Sequence, residues 1–207
     1  LSSVAARNGF ALVSDEVFLD YRFADRPGDV RVAAAEPGDA LVFSLGGLSK
    51  SAALPQLKLG WILANGPAAP LAEALERLAW IADSFLSVGT PVQLALPGLL
   101  SFGETAARAL RARLLGNHAA LARALAPLAG VTVAPLAAGW SGVVRLPAVE
   151  REEELVLRLL AEEDLVVHPG YFFDFPSEAY LVVSLLPGEE TFREGVARLA
   201  RALDRPS

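Results

Sequence analysis

Two side chains able to carry covalent and acid–base chemistry stand at equivalent places in this sequence. The apolar run Phe10-Ala-Leu-Val-Ser14 ends in Asp15 and Glu16, and the run Ala40-Leu-Val-Phe-Ser44 leads into Leu45-Gly-Gly-Leu-Ser-Lys50. Ligands of open α/β sheets sit beyond the carboxyl ends of strands, so Asp15 and Lys50 are predicted at one sheet edge, an anion beside a nucleophilic amine. A lysine in a restricted, partly dry loop can attack a carbonyl carbon and form a Schiff base. A carboxylate in the same place suits a protonated ring nitrogen such as that of pyridoxal phosphate, whose ring then accepts electrons. The plainer use of an acid after a strand is a helix cap or a solvated turn. Cation usage bears on the choice: lysine occurs only at positions 50 and 58, against 16 arginines. Under that bias the two lysines mark places where an amine is needed, or they are chance survivors.

The rest of the composition narrows the class. The 207 residues carry 24 acidic and 18 basic side chains, a net charge of −6, and 53% of them are hydrophobic. Such a chain buries a core and is not disordered, and its acidity excludes nucleic acid as the main partner. Cysteine is absent, which excludes disulfides and thiolate metal sites, permits a reducing compartment and gives a cytoplasmic location as the expectation. Two histidines, His118 and His168, do not suggest a metal centre. The chain has no methionine and opens Leu1-Ser-Ser3, as expected for a piece of a longer protein. The uncharged stretches 84–103 and 124–144 are interrupted by prolines and glycines. They read as buried helix ends, turns and strands of a soluble protein, not as membrane spans.

The elements that must position Asp15 and Lys50 follow from periodicity. Strands are predicted at 10–14, 40–44 and 57–64, with a polar Gly/Pro-rich loop over 24–39. A helix over 68–85 presents Leu71, Leu75, Leu78 and Ala82 on one face. Pro91 starts another, interrupted at Ser101-Phe102-Gly103, and 104–128 reads as one long amphipathic helix with Leu110, Leu114, Leu121 and Leu125 inward. Beyond Gly130, strands are expected at 131–133, 140–146, 165–167 and 180–185, and helices at 150–163 and 189–203. Glu189 and Glu190 suit the start of the last helix.

Several segments in order carry a resemblance. Phe10-Ala-Leu-Val-Ser-Asp-Glu-Val-Phe18 resembles the strand that holds the pyridine-binding aspartate of class I/II (fold type I) pyridoxal-phosphate-dependent aminotransferases. Ser44-Leu-Gly-Gly-Leu-Ser-Lys50 with Leu54-Pro-Gln-Leu-Lys-Leu-Gly-Trp61 is similar to that family's Schiff-base segment. Ser87-Val-Gly-Thr-Pro-Val-Gln93, Gly139-Trp140, and His168-Pro-Gly-Tyr-Phe-Phe173 followed by Tyr180-Leu-Val-Val-Ser184 match further segments, from about Val4 to Leu203. The resemblance implies an α/β fold: the C-terminal part of a mixed, mainly parallel large-domain sheet plus a small α+β C-terminal domain. The division expected is 1–103 in the cofactor-binding large domain, 104–128 as a connecting helix and 129–207 as the small domain. It further implies a homodimer with the site at the subunit interface, acting on an amino acid and a 2-oxo acid.

By the same resemblance Lys50 forms the aldimine with pyridoxal 5'-phosphate and later shuttles the Cα proton. Asp15 holds the pyridinium nitrogen, and Lys58 replaces the usual phosphate-binding arginine. Ser49 reaches the phosphate or only shapes the turn. Trp140 walls the substrate pocket or is a core or interface tryptophan, and Tyr171 lines the same mouth or packs in the core. Read from its own setting, His168 before Pro169 is a structural histidine at a strand end rather than a catalytic base. Departures from the family pattern are Phe18 for a tyrosine, Gly47 for a phosphate-binding serine with Ser44 nearby as a substitute, and Val182 for the substrate-carboxylate arginine. Arg145 is the candidate replacement for that arginine. Arg108, Arg111 and Arg113 read as solvated helix surface. Segments that the resemblance places ahead of Phe10 are not in this chain, so an open sheet edge, an exposed apolar face and weak cofactor binding by this piece are expected. Two alternatives to amino transfer remain: a fold-type-I lyase or decarboxylase, and a non-catalytic ligand-sensing domain of aminotransferase type.

Overall fold

A computed structural model describes residues 1–24, 32–36 and 38–204. The chain divides into two compact units, Leu1–Arg108 and Ala109–Ser207, the division falling inside a helix. The first unit contains α1 (Ser2–Asn8), β1 (Leu12–Asp15), β2 (Val42–Gly47), the one-turn helix α2 (Leu48–Ser51), β3 (Gly60–Asn65), α3 (Ala68–Ser84) and the start of α4 (Thr90–Leu125). Short 3-10 turns lie at Leu19–Tyr21, Ala33–Ala35 and Pro55–Leu57. Part of the loop expected at 24–39 falls at 25–31 and 37, outside the described residues.

The three strands form one sheet in the order β1-β2-β3. β1 runs parallel to β2 with Leu12 opposite Val42 and Asp15 opposite Leu45. β3 is antiparallel to β2, from Val42 opposite Asn65 to Gly47 opposite Gly60. The sheet is therefore mixed, and its parallel character rests on the β1–β2 pair. The third strand starts three residues later than its apolar run suggests, because Pro55–Leu57 coils and Lys58 takes a left-handed backbone, φ 51°.

Two apolar clusters hold this unit. Ala5, Ala34, Ala40 and Val42 form one, with Leu12 against it. Leu48, Ala52 and Leu59 form the other, covered by Val92, Leu96 and Leu99 of α4. That second contact explains why α4 is continuous through Ser101-Phe102-Gly103, where a break was expected. A Cβ on Gly103 would stand 2.6 Å from Ala52 Cβ and 2.8 Å from Ala52 Cα, so the glycine serves close approach to α2 and not helix termination. The face of α3 expected inward is not covered: Leu75 is exposed, Leu71 and Leu78 are half-buried, and α3 has no buried residue. Phe10, Val13, Ile62, Trp80 and Phe85 are exposed as well, Phe85 to 81%. Periodicity identifies an apolar face; it does not say what lies against it.

The second unit contains the rest of α4, β4 (Thr132–Val133), β5 (Ser141–Arg145), α5 (Glu152–Glu163), β6 (His168–Pro169), β7 (Tyr180–Ser184) and α6 (Glu189–Asp204), with a 3-10 turn at Gly170–Phe173. Its sheet is antiparallel throughout in the order β4-β5-β7-β6. Leu114, Leu121 and Leu125 of α4 are buried, as are Leu155 and Leu159 of α5 and Phe192, Val196, Leu199 and Ala202 of α6. These are the helical spacings that put one stripe against a sheet. Buried Asn117 donates to the carbonyls of Leu185 and Pro187, both at 2.9 Å, and ties α4 to the end of β7. The strand expected at 165–167 is displaced to His168–Pro169. Asp164 closes α5 with φ 52° and Leu165 N still bonds back to Leu159, so the chain reaches the sheet only afterwards.

On this unit's surface Arg158 grips Glu150 with both Nε (3.1 Å) and Nη2 (2.7 Å). Those hydrogen bonds outweigh desolvation and, with the guanidinium charge, hold the Glu150 carboxyl below its ordinary value of about 4.5. A carboxyl lowered on folding adds stability that is present above its unfolded value and is lost as pH falls through the folded one. The gap in melting temperature between the native protein and Glu150→Gln is therefore expected to be widest near neutral pH and to close in acid. Thermal melts across that range check it; a constant gap would contradict it. No helix among the described residues is long and apolar enough to cross a membrane.

Candidate active site

Asp15 is the last residue of β1 and Lys50 lies in the helical turn that follows β2. Because β1 and β2 are parallel and in register, both residues come at the carboxyl end of the sheet. Asp15 and Glu16 are neighbours in sequence, yet the structure sorts them. Glu16 Oε1 accepts from Ser44 Oγ at 2.8 Å and from Ala33 N at 2.7 Å, while Ser44 Oγ accepts from Ala34 N at 2.9 Å. That carboxylate is committed to holding the 3-10 turn Ala33–Ala35 against the sheet. Asp15 is exposed, and its Oδ1 accepts the N–H of Val17 at 3.1 Å. Ser44, 3% exposed and engaged with Glu16, does not take the phosphate-ligand place considered for it.

The turn that bears Lys50 is braced from several sides. Leu48 N donates to Leu59 O at 3.0 Å and Leu54 N to Leu48 O at 3.0 Å; Ser51 Oγ donates to Gly47 O at 2.9 Å. The Leu48–Leu59 bond lays the backbone of Lys58 and Leu59 beside that of Leu48 and Ser49. Lys58 is exposed and Ser49 half-buried. Gly46 and Gly47 give the strand its close neighbours: a Cβ on Gly46 would stand 2.4 Å from the Trp61 indole nitrogen. The Phe18 ring lies 5.4 Å from Lys50 Nζ, within cation–π range. Fully buried Tyr21 donates its hydroxyl to the Lys50 carbonyl at 3.0 Å. Sequence reasoning passed over Tyr21 and the anchoring part of Glu16. The usable signal was a tyrosine six residues past the strand end, since a buried phenol needs an acceptor.

A cavity of about 270 Å³ opens beside these strand ends, walled by Glu16, Val17, Ser44, Gly46, Ser51 and Trp61 among others. Trp140 and Tyr171 belong to the second unit. Trp140, half-buried, precedes β5, and its carbonyl accepts Leu185 N at 2.8 Å. Tyr171 is exposed, stands edge-on to Phe172 at 4.9 Å and borders a recess with Glu152, Glu153 and Glu178. Val182 is 4% exposed on β7, paired with Val143 and His168, while Arg145 is exposed at the end of β5. The His168 ring packs 6.0 Å from Phe172 and 6.1 Å from Phe173. Of the arginines read as helix surface, Arg108 and Arg113 are exposed and Arg111 is half-buried.

Comparison with known proteins gives a consistent result. The family model described as aminotransferase class I and II matches residues 1–199. The chain is 27% identical to the glutamate-pyruvate aminotransferase AlaA of Haemophilus influenzae, over 97% of this chain and 50% of that protein. It is 26% identical to an alanine aminotransferase of Mycobacterium tuberculosis, over 97% of this chain and 48% of that one. Among solved structures, an alanine aminotransferase from Pyrococcus furiosus superposes with a TM-score of 0.81 at 18% identity, covering 97% of this chain and 51% of that one. The chain thus spans about half the length of the curated relatives it matches.

Proposed function

We propose, from the premise that this chain belongs to the class I and II aminotransferases, that the protein moves an amino group between an amino acid and a 2-oxo acid, with Lys50 as the catalytic amine and pyridoxal 5'-phosphate as cofactor. The observation that carries this reading is the donor set at the carboxyl ends of β1 and β2. It holds one exposed carboxylate, Asp15, and one primary amine, Lys50, with a hydroxyl and a second cation, Ser49 and Lys58, on adjoining backbone. That set fits the cofactor's ring nitrogen, aldehyde carbon and phosphate in turn. The names of the relatives favour amino transfer over the lyase, decarboxylase and ligand-sensing readings.

When bound, the cofactor supplies an electron-poor ring that accepts the electron pair left as the substrate Cα–H bond breaks. Asp15 keeps a proton on the ring nitrogen by accepting its hydrogen bond as a charged partner. Lys50 binds through Nζ and, once released, takes the proton from Cα and carries it to its next position. Lys58 meets the phosphate as a point charge, without the two-pronged grip of an arginine. In this reading the protein acts as a homodimer, as the family resemblance implies, and its place is the cytoplasm.

The test is where the cofactor goes. Pyridoxal phosphate is added, borohydride fixes the pyridoxyl group to the nitrogen that holds it, and peptide mass mapping locates the label. Within these 207 residues the competing lysine is Lys58. Because this piece is expected to bind the cofactor weakly, the cofactor is supplied in large excess, and the expected outcome is label concentrated on Lys50 that Lys50→Ala removes. Equal labelling of Lys50 and Lys58 would remove Lys50 from its assigned role.

A further inference from the structure

We infer that Tyr21 is the positioning residue of Lys50: its buried hydroxyl fixes the main chain of the turn from which the reactive amine extends. The inference rests on the reading of Lys50 given above and adds a residue to it. The turn needs an external support. α2 spans only Leu48–Ser51, too short to persist by its own hydrogen bonds. It ends against Ala53, a non-glycine residue in the left-handed region, φ 55°, which the surroundings must hold in place. Ala53 N donates to the Lys50 carbonyl at 3.2 Å, and Tyr21 Oη donates to the same oxygen at 3.0 Å. The acceptor at the centre of the strained turn is thus shared between a local bond and one from 29 residues away.

The same short segment reaches the other end of the lysine. Tyr21 closes the 3-10 turn Leu19–Tyr21, whose N-cap is Phe18, and Tyr21 N donates to Phe18 O at 2.9 Å. Phe18 lays its ring 5.4 Å from Lys50 Nζ. One rigid turn, three residues beyond Asp15, therefore holds Lys50 by its carbonyl and by its ammonium. The carboxylate and the amine are linked through protein, not only through whatever lies between them. Tyr21 is fully buried, so the bond is made out of water, where an unmade partner is costly.

The experiment exploits the two lysines. Protein grown on lysine labelled with carbon-13 at the carbonyl carries that label only at positions 50 and 58, and Lys58→Arg assigns the two resonances. Tyr21→Phe keeps the ring and deletes the hydroxyl. The expected result is a displaced Lys50 carbonyl resonance with Lys58 unmoved. The Lys50-to-Lys58 ratio of pyridoxyl trapping should also fall by about fivefold, the population change that loss of one buried hydrogen bond brings. A displaced carbonyl with an unchanged trapping ratio overturns the positioning role, and an unmoved carbonyl overturns the bond itself. Should Tyr21→Phe fold poorly, 3-fluorotyrosine in place of tyrosine supplies a stronger donor in the native shape. The Lys50 carbonyl must then move the opposite way, and a stationary resonance again overturns the proposal. The resonance is read without cofactor, so failure of the Lys50 reading itself would appear separately, as trapping that does not favour Lys50 in the unmodified protein.

Discussion

Lys50→Ala is expected to slow amino transfer by about 10²–10⁴-fold, the range lost when a positioned acid–base group is removed, while the fold stays intact. The separation follows from how the turn is held. The hydrogen bonds that Tyr21 and Ala53 give to residue 50 go to its main-chain carbonyl and survive truncation of the side chain. Alanine is also the best helix former. Truncation removes Nζ and, with it, the contact with the Phe18 ring. That contact contributes about 0.5–1 kcal/mol, or no more than about 4 °C in melting temperature. Rates measured with glutamate and pyruvate, the pair in the name of the Haemophilus relative, alongside thermal melts, check both halves. A variant that kept its rate would deny Lys50 the proton transfer; one that lost rate and fold together would show that the loss is not chemical.

The largest effect on stability is expected in the second unit, at Glu152. This carboxylate is 2% exposed and lies at the start of α5. It accepts Tyr180 N at 2.7 Å with one oxygen and Tyr171 N at 3.0 Å with the other, tying β7 to the turn Gly170–Phe173. The chain is built around it: a Cβ on Gly170 would stand 3.0 Å from Glu152 Oε1. Glu152→Ala strands two N–H donors. At roughly 1.5–3 kcal/mol for each charge-assisted bond, the loss of two is about 3–6 kcal/mol. That corresponds to roughly 10 °C in melting temperature for a chain of this size. Glu152→Gln retains one acceptor but turns an amide N–H₂ toward the other donor, so it recovers only part of the loss. Denaturant titration of the three proteins gives the order native, Gln, Ala; a glutamine variant as stable as the native protein would show that one bond suffices.

The sheet around Lys50 was legible because its strands are short apolar runs bounded by turn residues, and their ends carry the reactive groups. Strand alternation even contained the distinction between Asp15 and Glu16, since adjacent residues point to opposite faces. It could not say that Glu16 would meet Ser44, because that partner lies 28 residues away. Tyr21 escaped for the same reason: its acceptor is a backbone carbonyl, invisible to any search for reactive side chains. The break expected near Gly103 failed because glycine was taken as a conformational signal when its use here is steric. At β6 the apolar triplet Leu165-Val-Val167 gave the right neighbourhood and the wrong residues. Hydrophobicity does not register the left-handed cap at Asp164 that delays entry to the sheet. For α3 the pattern was read correctly as an apolar stripe, and its burial was assumed without a partner element to supply it.

The contact between Gly103 and Ala52 has a consequence for how this sequence is able to change. The two positions share one small volume, 51 residues apart, directly behind the lysine turn. Removing the Ala52 methyl would not free position 103, because a Cβ there would still stand 2.8 Å from the Ala52 Cα. Position 103 is closed to any side chain unless the helix and the lysine turn move apart, whatever residue stands at 52. The two sites therefore do not trade bulk: a library randomised at both is expected to return glycine at 103 beside every residue tolerated at 52.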